Sequence, residues 1–390
     1  MKILHTVENY FPSLGGMQEV VKQLSENLVE LGHNVTVATR KTPGRKFKVL
    51  NGVKIKDFNI NGNYVNGLEG EVDKYIKLVG KSKFDIVTNF AAQQWATDAL
   101  LPILSDIKAV KVFVPTGFSA FYDSAYKKYF INMKYWMKEY DMNIFLSSNY
   151  RDINFARKIK IPKNKIMIIP NGASQEEFEK DSEINIRQKL NIPINHFLIL
   201  HVGSHTGIKG HKEAIKIFKK ARIKNSTLLI VGNSYREGCV KFCNKQASLF
   251  KFSLHGKIDD KKIVITGLNR KETVAAYKEA DLFLFPSNVE CSPIVLFEAC
   301  ATKTPFLTSD VGNTREIIEW TNGGKLLPTY KDHNRLSHAK IDDSVRRLEN
   351  IIRNEKLLQV MAKNGYRSWK KRFTWEKISK QYDSLYRRLI

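Results

Sequence analysis

The sequence predicts an α/β protein of two domains, each a mainly parallel sheet flanked by helices, and three observations predict it. An apolar run, a glycine-bearing loop and an amphipathic helix follow one another at the amino terminus. The same succession restarts about halfway along the chain. With 390 residues and 43% hydrophobic content the chain can fill two cores of roughly 150 to 200 residues, whereas one core of that size would be unusual.

Lys2 to Val7 reads as a buried strand, and Pro12, Gly15 and Gly16 form the loop after it. Val20, Val21, Leu24, Leu28 and Leu31 recur at helical spacing through Gln18 to Leu31, and Gly32 stops that helix. Asn34 to Ala38 is the next strand, which completes a βαβ unit. Further strands are expected at Phe84 to Thr88, Lys111 to Val114, Asn143 to Leu146 and Lys165 to Ile169. Pro170, Asn171 and Gly172 make a turn, and the charged stretch Gln175 to Arg187 is expected to be the interdomain linker. The pattern then restarts with a strand at Phe197 to Val202, a Gly/Ser/His loop and a helix from Lys212 to Ala221. Strands at Thr227 to Val231, Lys262 to Thr266, Leu282 to Phe285 and Pro305 to Thr308 follow. Both halves are therefore Rossmann-like. The expected division is 1–172, 173–368 and a closing segment 369–390.

Met1 to Leu4 is too short an apolar run for a secretory signal, and no stretch approaches the roughly 20 apolar residues that cross a bilayer. The expected location is the cytoplasm. Four cysteines are too few for a disulfide framework. Cys239 and Cys243 stand one helical turn apart, but the sequence offers no second pair beside them, so no metal is expected. The net charge of +25, from 64 basic and 39 acidic residues, points to polyanionic partners: nucleic acid, anionic lipid or phosphorylated substrates.

The strongest chemical signal is Asp281 to Ala299 (DLFLFPSNVECSPIVLFEA). A buried strand runs to Phe285, a polar loop carries Glu290, and a helix is expected from near Ser292 with Pro293 at its first position. Open α/β sheets bind ligands at the carboxyl ends of their strands, and helix N-termini offer free N–H groups to anions such as a diphosphate. Glu298 lies on the loop-facing side of that helix, where a carboxylate can accept both hydrogen bonds of a ribose diol. Among Ile294, Val295, Leu296, Phe297 and Ala299, burying that charge is costly unless it is paired.

At these residues the chain resembles the retaining glycosyltransferases of family 4. Glu290 and Glu298 match the family's Glu-x₇-Glu motif, followed by PFLTSDVG from Pro305 to Gly312. Pro12 to Gly16 matches its amino-terminal glycine-rich loop, Ile169 to Gly172 (IPNG) its interdomain signature, and Phe373 to Tyr386 its closing helix. The resemblance implies the GT-B fold, two facing Rossmann-like domains with a C-terminal helix crossing back to the first. It implies that Glu298 binds the donor ribose, that Glu290 sits near the transferred sugar, and that the N–H groups of Ile294 and Val295 face the donor. Gly15 and Gly16 also belong to the implied donor-side set. Lys209, in the loop Gly203 to Gly210 (GSHTGIKG), matches the family's phosphate-binding lysine, and a cation there can neutralise charge on a leaving nucleoside diphosphate.

Where the family commonly has an arginine in that loop this chain has Ser204, which leaves His205 or Lys212 to supply a second cation. Where the amino-terminal domain often offers His-Gly, this chain has Thr116-Gly117, so the catalytic group of that domain is unassigned. No Asp-x-Asp motif follows an apolar strand, so transfer is expected without a metal or other cofactor.

Tyr126 to Tyr140 combines Tyr129, Phe130, Met133, Trp136 and Met137 with Lys127, Lys128, Lys134 and Lys138. As a helix this segment either packs an aromatic stripe into the core or lays it on anionic lipid. With the basic run Arg40 to Lys48, the second reading points to peripheral attachment on the inner face of the cytoplasmic membrane. The acceptor would then be a lipid-linked glycan in cell-surface polysaccharide assembly, and the donor a UDP-sugar in preference to a GDP-sugar. Two rivals are a nucleotide-sugar epimerase of the same fold and a basic nucleic-acid-binding protein. Glu290 to Glu298 with Lys209 opposes the first, and the lack of a helix-turn-helix, zinc finger or aromatic RNA-binding motif opposes the second.

Overall fold

In the computed structural model, which describes residues 1–390 apart from 82, 234, 235, 252, 254, 255 and 257, the chain divides between Asn171 and Gly172. Met1–Asn171 and Trp375–Ile390 form one unit, and Gly172–Thr374 forms the other. The strands of the first are β1 (Lys2–Thr6), β2 (Asn34–Arg40), β3 (Val49–Leu50), β4 (Val53–Phe58), β5 (Ile60–Asn63), β6 (Gly67–Gly70), β7 (Ile86–Phe90), β8 (Val110–Val114), β9 (Met142–Phe145) and β10 (Ile166–Ile168). Eight make one sheet in the order β10-β9-β8-β7-β1-β2-β4-β3. Its pairings are parallel except β3 with β4, and β5 with β6 forms a separate hairpin.

Ile3, Leu4, Ile86 and Val87 are fully buried, because parallel strands covered by helices on both faces need near-continuous apolar runs. β4 escaped the sequence reading because its residues alternate: Val53 and Ile55 are buried while Lys54 and Lys56 are exposed. The helix Trp375–Leu389 packs on this unit against the helix Gly16–Glu30. Tyr386 and Thr88 share a buried hydroxyl hydrogen bond of 2.7 Å, and His33 Nε2 lies 2.7 Å from Asp383 Oδ1.

The second sheet consists of β11 (Phe197–Val202), β12 (Ser226–Val231), β13 (Lys261–Thr266), β14 (Leu282–Phe285), β15 (Phe306–Thr308) and β16 (Gly324–Leu326), in the order β13-β12-β11-β14-β15-β16. All its pairings are parallel. The chain winds outward from β11 through β12 to β13, then returns to β14 on the other side of β11. The reversal puts a topological switch point between β11 and β14, where loops diverge and leave a crevice.

Two expectations about boundaries are corrected. The charged stretch Gln175 to Arg187 is part of the second unit, with short helices at Gln175–Glu179 and Ile186–Lys189. Phe178 and Ile186 carry it into the core, and Glu279 accepts the backbone N–H of Arg187 at 2.9 Å. The segment 369–390 is split, because Trp369 and Phe373 end the helix Glu355–Arg372 inside the second core. Trp369 Nε1 donates to Ala173 O at 3.1 Å, and the chain rejoins the first unit only at Trp375.

Candidate active site

Three loops meet at the carboxyl edge of β11, β14 and β15, and backbone packing fixes their separation. Gly210 (φ 76°) ends the loop after β11, and a Cβ there would lie 2.0 Å from Pro286 O. Gly312 (φ 57°) plays the same part after β15, where a Cβ would lie 2.4 Å from Cys291 O. Only glycine admits both the left-handed conformation and so close an approach. Asn288 N donates to Ile208 O at 3.0 Å and Asn313 N to Cys291 O at 2.9 Å, so the loop carrying Glu290 is tied on both sides.

This clamp brings together Lys209 and Glu290, which are far apart in sequence. Lys209 Nζ is 2.6 Å from Glu290 Oε1, and Ser287 Oγ donates to the same oxygen at 2.8 Å. The lysine is 28% exposed and the glutamate 11%, so the pair can receive an anion from solvent. The adjoining helix is Ile294–Ala301, one residue shorter at its start than the sequence implied: Pro293 is the N-cap in extended geometry, not the first helical residue. Ile294 and Val295 are half-buried, and as the first two helical residues their N–H groups have no acceptor within the helix.

Glu298 lies about one turn further on and is 3% exposed. The compensation its burial requires comes from Arg270, whose Nη1 is 2.6 Å from Glu298 Oε1. Arg270 also reaches Glu177 Oε2 through Nη2 at 2.7 Å and Nε at 3.0 Å, so one guanidinium joins two carboxylates. Sequence reasoning missed Arg270 and Glu177. A signal for the arginine was present: Asn269 and Glu272 form a capping box, which sets Arg270 as the first residue of a helix just after β13.

Ser204 is half-buried in the loop after β11, but His205 is not the cation that could replace the missing arginine. It is 2% exposed and its Nδ1 lies 3.5 Å from Cys239 Sγ. Its ring stacks on His211 at 4.2 Å, and His211 in turn meets His201 edge-on at 4.7 Å. Burial pushes the imidazoles of His201 and His211 down to about 4 and about 2 and lowers that of His205, so all three are neutral near pH 7. Lys212 is exposed on the helix His211–Lys220.

Gly15 and Gly16 belong to the first unit, at the start of the helix Gly16–Glu30. That unit has a feature with no mark in the sequence. Four non-glycine residues adopt left-handed backbone just beyond β7 and β8: Ala91 (φ 63°), Gln93 (φ 64°), Thr116 (φ 58°) and Phe118 (φ 52°). Such residues concentrate where surrounding bonds over-determine a functional shape. Here Gly117 N donates to Asp152 Oδ2 at 2.8 Å, and Gln93 N to Asp98 Oδ1 at 3.1 Å. Burial pushes both carboxyls up to about 6.

Two family models match consecutive stretches of the chain: Glycosyltransferase Family 4 over residues 14–177, and Glycosyl transferases group 1 over residues 182–368. An uncharacterized glycosyltransferase of Methanocaldococcus jannaschii is 23% identical, with 99% of this chain and 98% of that protein covered. The structure of Anabaena HepE in complex with UDP and glucose superposes with a TM-score of 0.75 at 15% identity, covering 99% of both chains. That of WaaG, a glycosyltransferase involved in lipopolysaccharide biosynthesis, superposes with a TM-score of 0.72 at 17% identity, covering 98% of this chain and 99% of WaaG. The fold is GT-B. With both halves matched in order, the chain belongs to the group 1 glycosyltransferases of family 4.

Proposed function

We propose that this glycosyltransferase moves a sugar with retention from a UDP-sugar to a hydroxyl of a lipid-linked glycan, without a metal ion in the reaction, during cell-surface polysaccharide assembly. The second unit holds the donor and the first the acceptor, whose site is the strained edge beyond β7 and β8. The observation that carries the reading is the pairing of Lys209 with Glu290 beside the start of the helix Ile294–Ala301. A diphosphate drawn to the lysine meets the N–H groups of Ile294 and Val295, so charge that develops on the leaving group is balanced by a cation and a helix N-terminus. Glu290, released from the lysine, faces the transferred sugar. Attack comes from the side the diphosphate leaves, and a leaving phosphate oxygen accepts the acceptor's proton. Arg270 pairs with Glu298, and the carboxylate accepts the ribose hydroxyls as the guanidinium yields part of its hold. UDP is preferred over GDP because HepE, of the same fold, is found with UDP and glucose.

Calorimetric titration of wild type and Glu298→Ala with UDP and GDP, without added metal, tests the donor site. Binding of UDP by wild type, weakened at least tenfold in the variant, is the expected result, a change of about 1.4 kcal/mol or more. Binding of neither nucleotide would remove the donor assignment.

The membrane reading changes its surface. The aromatic stripe of the helix Lys127–Glu139 is core: Tyr129, Phe130, Met133, Trp136 and Met137 are at most 8% exposed. The opposite face carries Ile131 (47% exposed) and Tyr135 (65%) among Lys127, Lys134 and Lys138, beside a cavity of about 620 Å³. Apolar side chains ringed by lysines suit an anionic bilayer surface, where each lysine contributes about 1 kcal/mol. The helix need not insert, and no helix among the described residues is long and apolar enough to cross a membrane. In co-sedimentation with vesicles, the double variant Lys134→Glu, Lys138→Glu is expected to lose about tenfold or more in affinity for anionic lipid. Equal binding by wild type and variant would refute attachment through this face.

A further inference from the structure

The loop after β11 and the helix Glu237–Lys251 bring together three side chains of a kind that binds transition metals. The ligand atoms of His205, Cys239 and Cys243 all lie within 4.8 Å of one another. Cys239 and Cys243, four residues apart on one helix, present their sulfurs on the same face. His205 comes from the other element, and its backbone is fastened to the segment leading into that helix at both ends. Its N–H donates to Asn233 O at 2.9 Å, and its carbonyl accepts from Arg236 N at 2.8 Å. Stacking on His211 fixes the plane of the ring, with Nδ1 3.5 Å from Cys239 Sγ.

These separations can be compared with what a metal demands. Tetrahedral zinc with bonds of about 2.3 Å to sulfur and about 2.0 Å to nitrogen holds its sulfur and nitrogen ligands about 3.5 Å apart and its sulfurs about 3.8 Å apart. The His205–Cys239 distance already has that value, and a rotamer adjustment of about 1 Å closes the remaining gaps. Two thiolates and an imidazole form a soft to borderline donor set, which favours zinc over magnesium, calcium or manganese. His205 and Cys243 are buried and Cys239 is half-buried, so the group is enclosed on one side and reachable from the other. Two cysteines on one helix face alone would be ordinary small packing residues. An imidazole that is 2% exposed and points at a thiol is what separates this group from ordinary packing.

We propose that His205, Cys239 and Cys243 bind one zinc ion, with water in the fourth position, and that the ion pins the Lys209 loop to the helix Glu237–Lys251. Binding replaces the two thiol protons, which pass to solvent, and involves no change of oxidation state. The ion is structural: it lies at His205, four residues before Lys209, and takes no part in the transfer. The site therefore stands or falls independently of the donor assignment.

The test uses the full chain, reduced and stripped by a chelator, then titrated with cobalt(II) as a spectroscopic stand-in for zinc. One equivalent is expected to bind with the intense visible absorption of a tetrahedral ion and a thiolate-to-cobalt charge-transfer band, and zinc is expected to displace it. The band should be lost in Cys239→Ser and Cys243→Ser, and zinc affinity should fall at least about tenfold in His205→Ala. Cys291→Ser, on the Glu290 loop, should keep both signals. Cys239 is only half-buried, so its serine variant keeps the test valid if Cys243→Ser fails to fold. Weak, octahedral cobalt absorption in wild type, or a charge-transfer band that survives in Cys239→Ser, would overturn the proposal.

Discussion

Replacing Lys209 by methionine is expected to lower kcat by about two to three orders of magnitude, roughly 3 to 4 kcal/mol of transition-state stabilisation, with a much smaller change in KM. The asymmetry follows from where the charge develops. Lys209 is held at 2.6 Å by Glu290, and an intact nucleotide-sugar competes with that carboxylate for the cation. As the glycosidic bond breaks, a further negative charge builds on the diphosphate and the lysine shifts its balance toward it, so the interaction strengthens during the reaction. The pair is 28% and 11% exposed, and an ion pair so placed contributes about 1 kcal/mol or less to stability. The variant should therefore melt close to wild type, which separates lost catalysis from lost fold. The measurement is UDP release from a UDP-sugar under saturating donor. An unchanged kcat with a raised KM would assign Lys209 to ground-state binding alone, and the leaving group would then need another source of charge.

What the sequence displayed and what it concealed divide along physical lines. The buried parallel strands were legible because each is a mainly apolar run bounded by turn residues: Phe197–Val202 and Leu282–Phe285 fall where they were expected. Asp281 to Ala299 was legible as a strand-loop-helix passage, and a ligand edge follows from that alone. Contacts across 81 residues, such as Lys209 with Glu290, were beyond reach because no local pattern encodes which loops the strand order makes adjacent. The stripe from Tyr129 to Met137 was ambiguous for a related reason. An apolar helix face looks the same whether it meets a sheet or a lipid, and only the tertiary structure places it in the core. His205 was offered as a substitute cation in its polar, glycine-rich loop, yet its ring turns inward against His211 and Cys239. The left-handed residues Ala91, Gln93, Thr116 and Phe118 could not have been anticipated, since none is a type that favours that conformation.

Gly210→Ala is expected to cost the second unit about 4 kcal/mol or more, where Gly207→Ala costs only about 1 to 2. Both glycines are left-handed, at φ 76° and 87°, so both variants carry the same conformational penalty. Their surroundings differ. A Cβ at position 207 would have as its nearest neighbour Arg236 Nη1 at 3.9 Å, whereas at position 210 it would meet Pro286 O at 2.0 Å and Pro286 C at 2.4 Å. Those are backbone atoms at the exit of β14, which cannot rotate away, so relief requires the two loops to part. Parting them breaks the hydrogen bond from Asn288 N to Ile208 O and draws Lys209 from Glu290. The variant should thus lower the melting temperature by roughly 10 °C and weaken UDP binding with it. Gly207→Ala, the internal control, should do little to either. Equal losses in the two variants would mean that the loops separate at small cost, and that the distance between the lysine and the glutamate is set by their side chains and not by the crossing of the chain at Gly210.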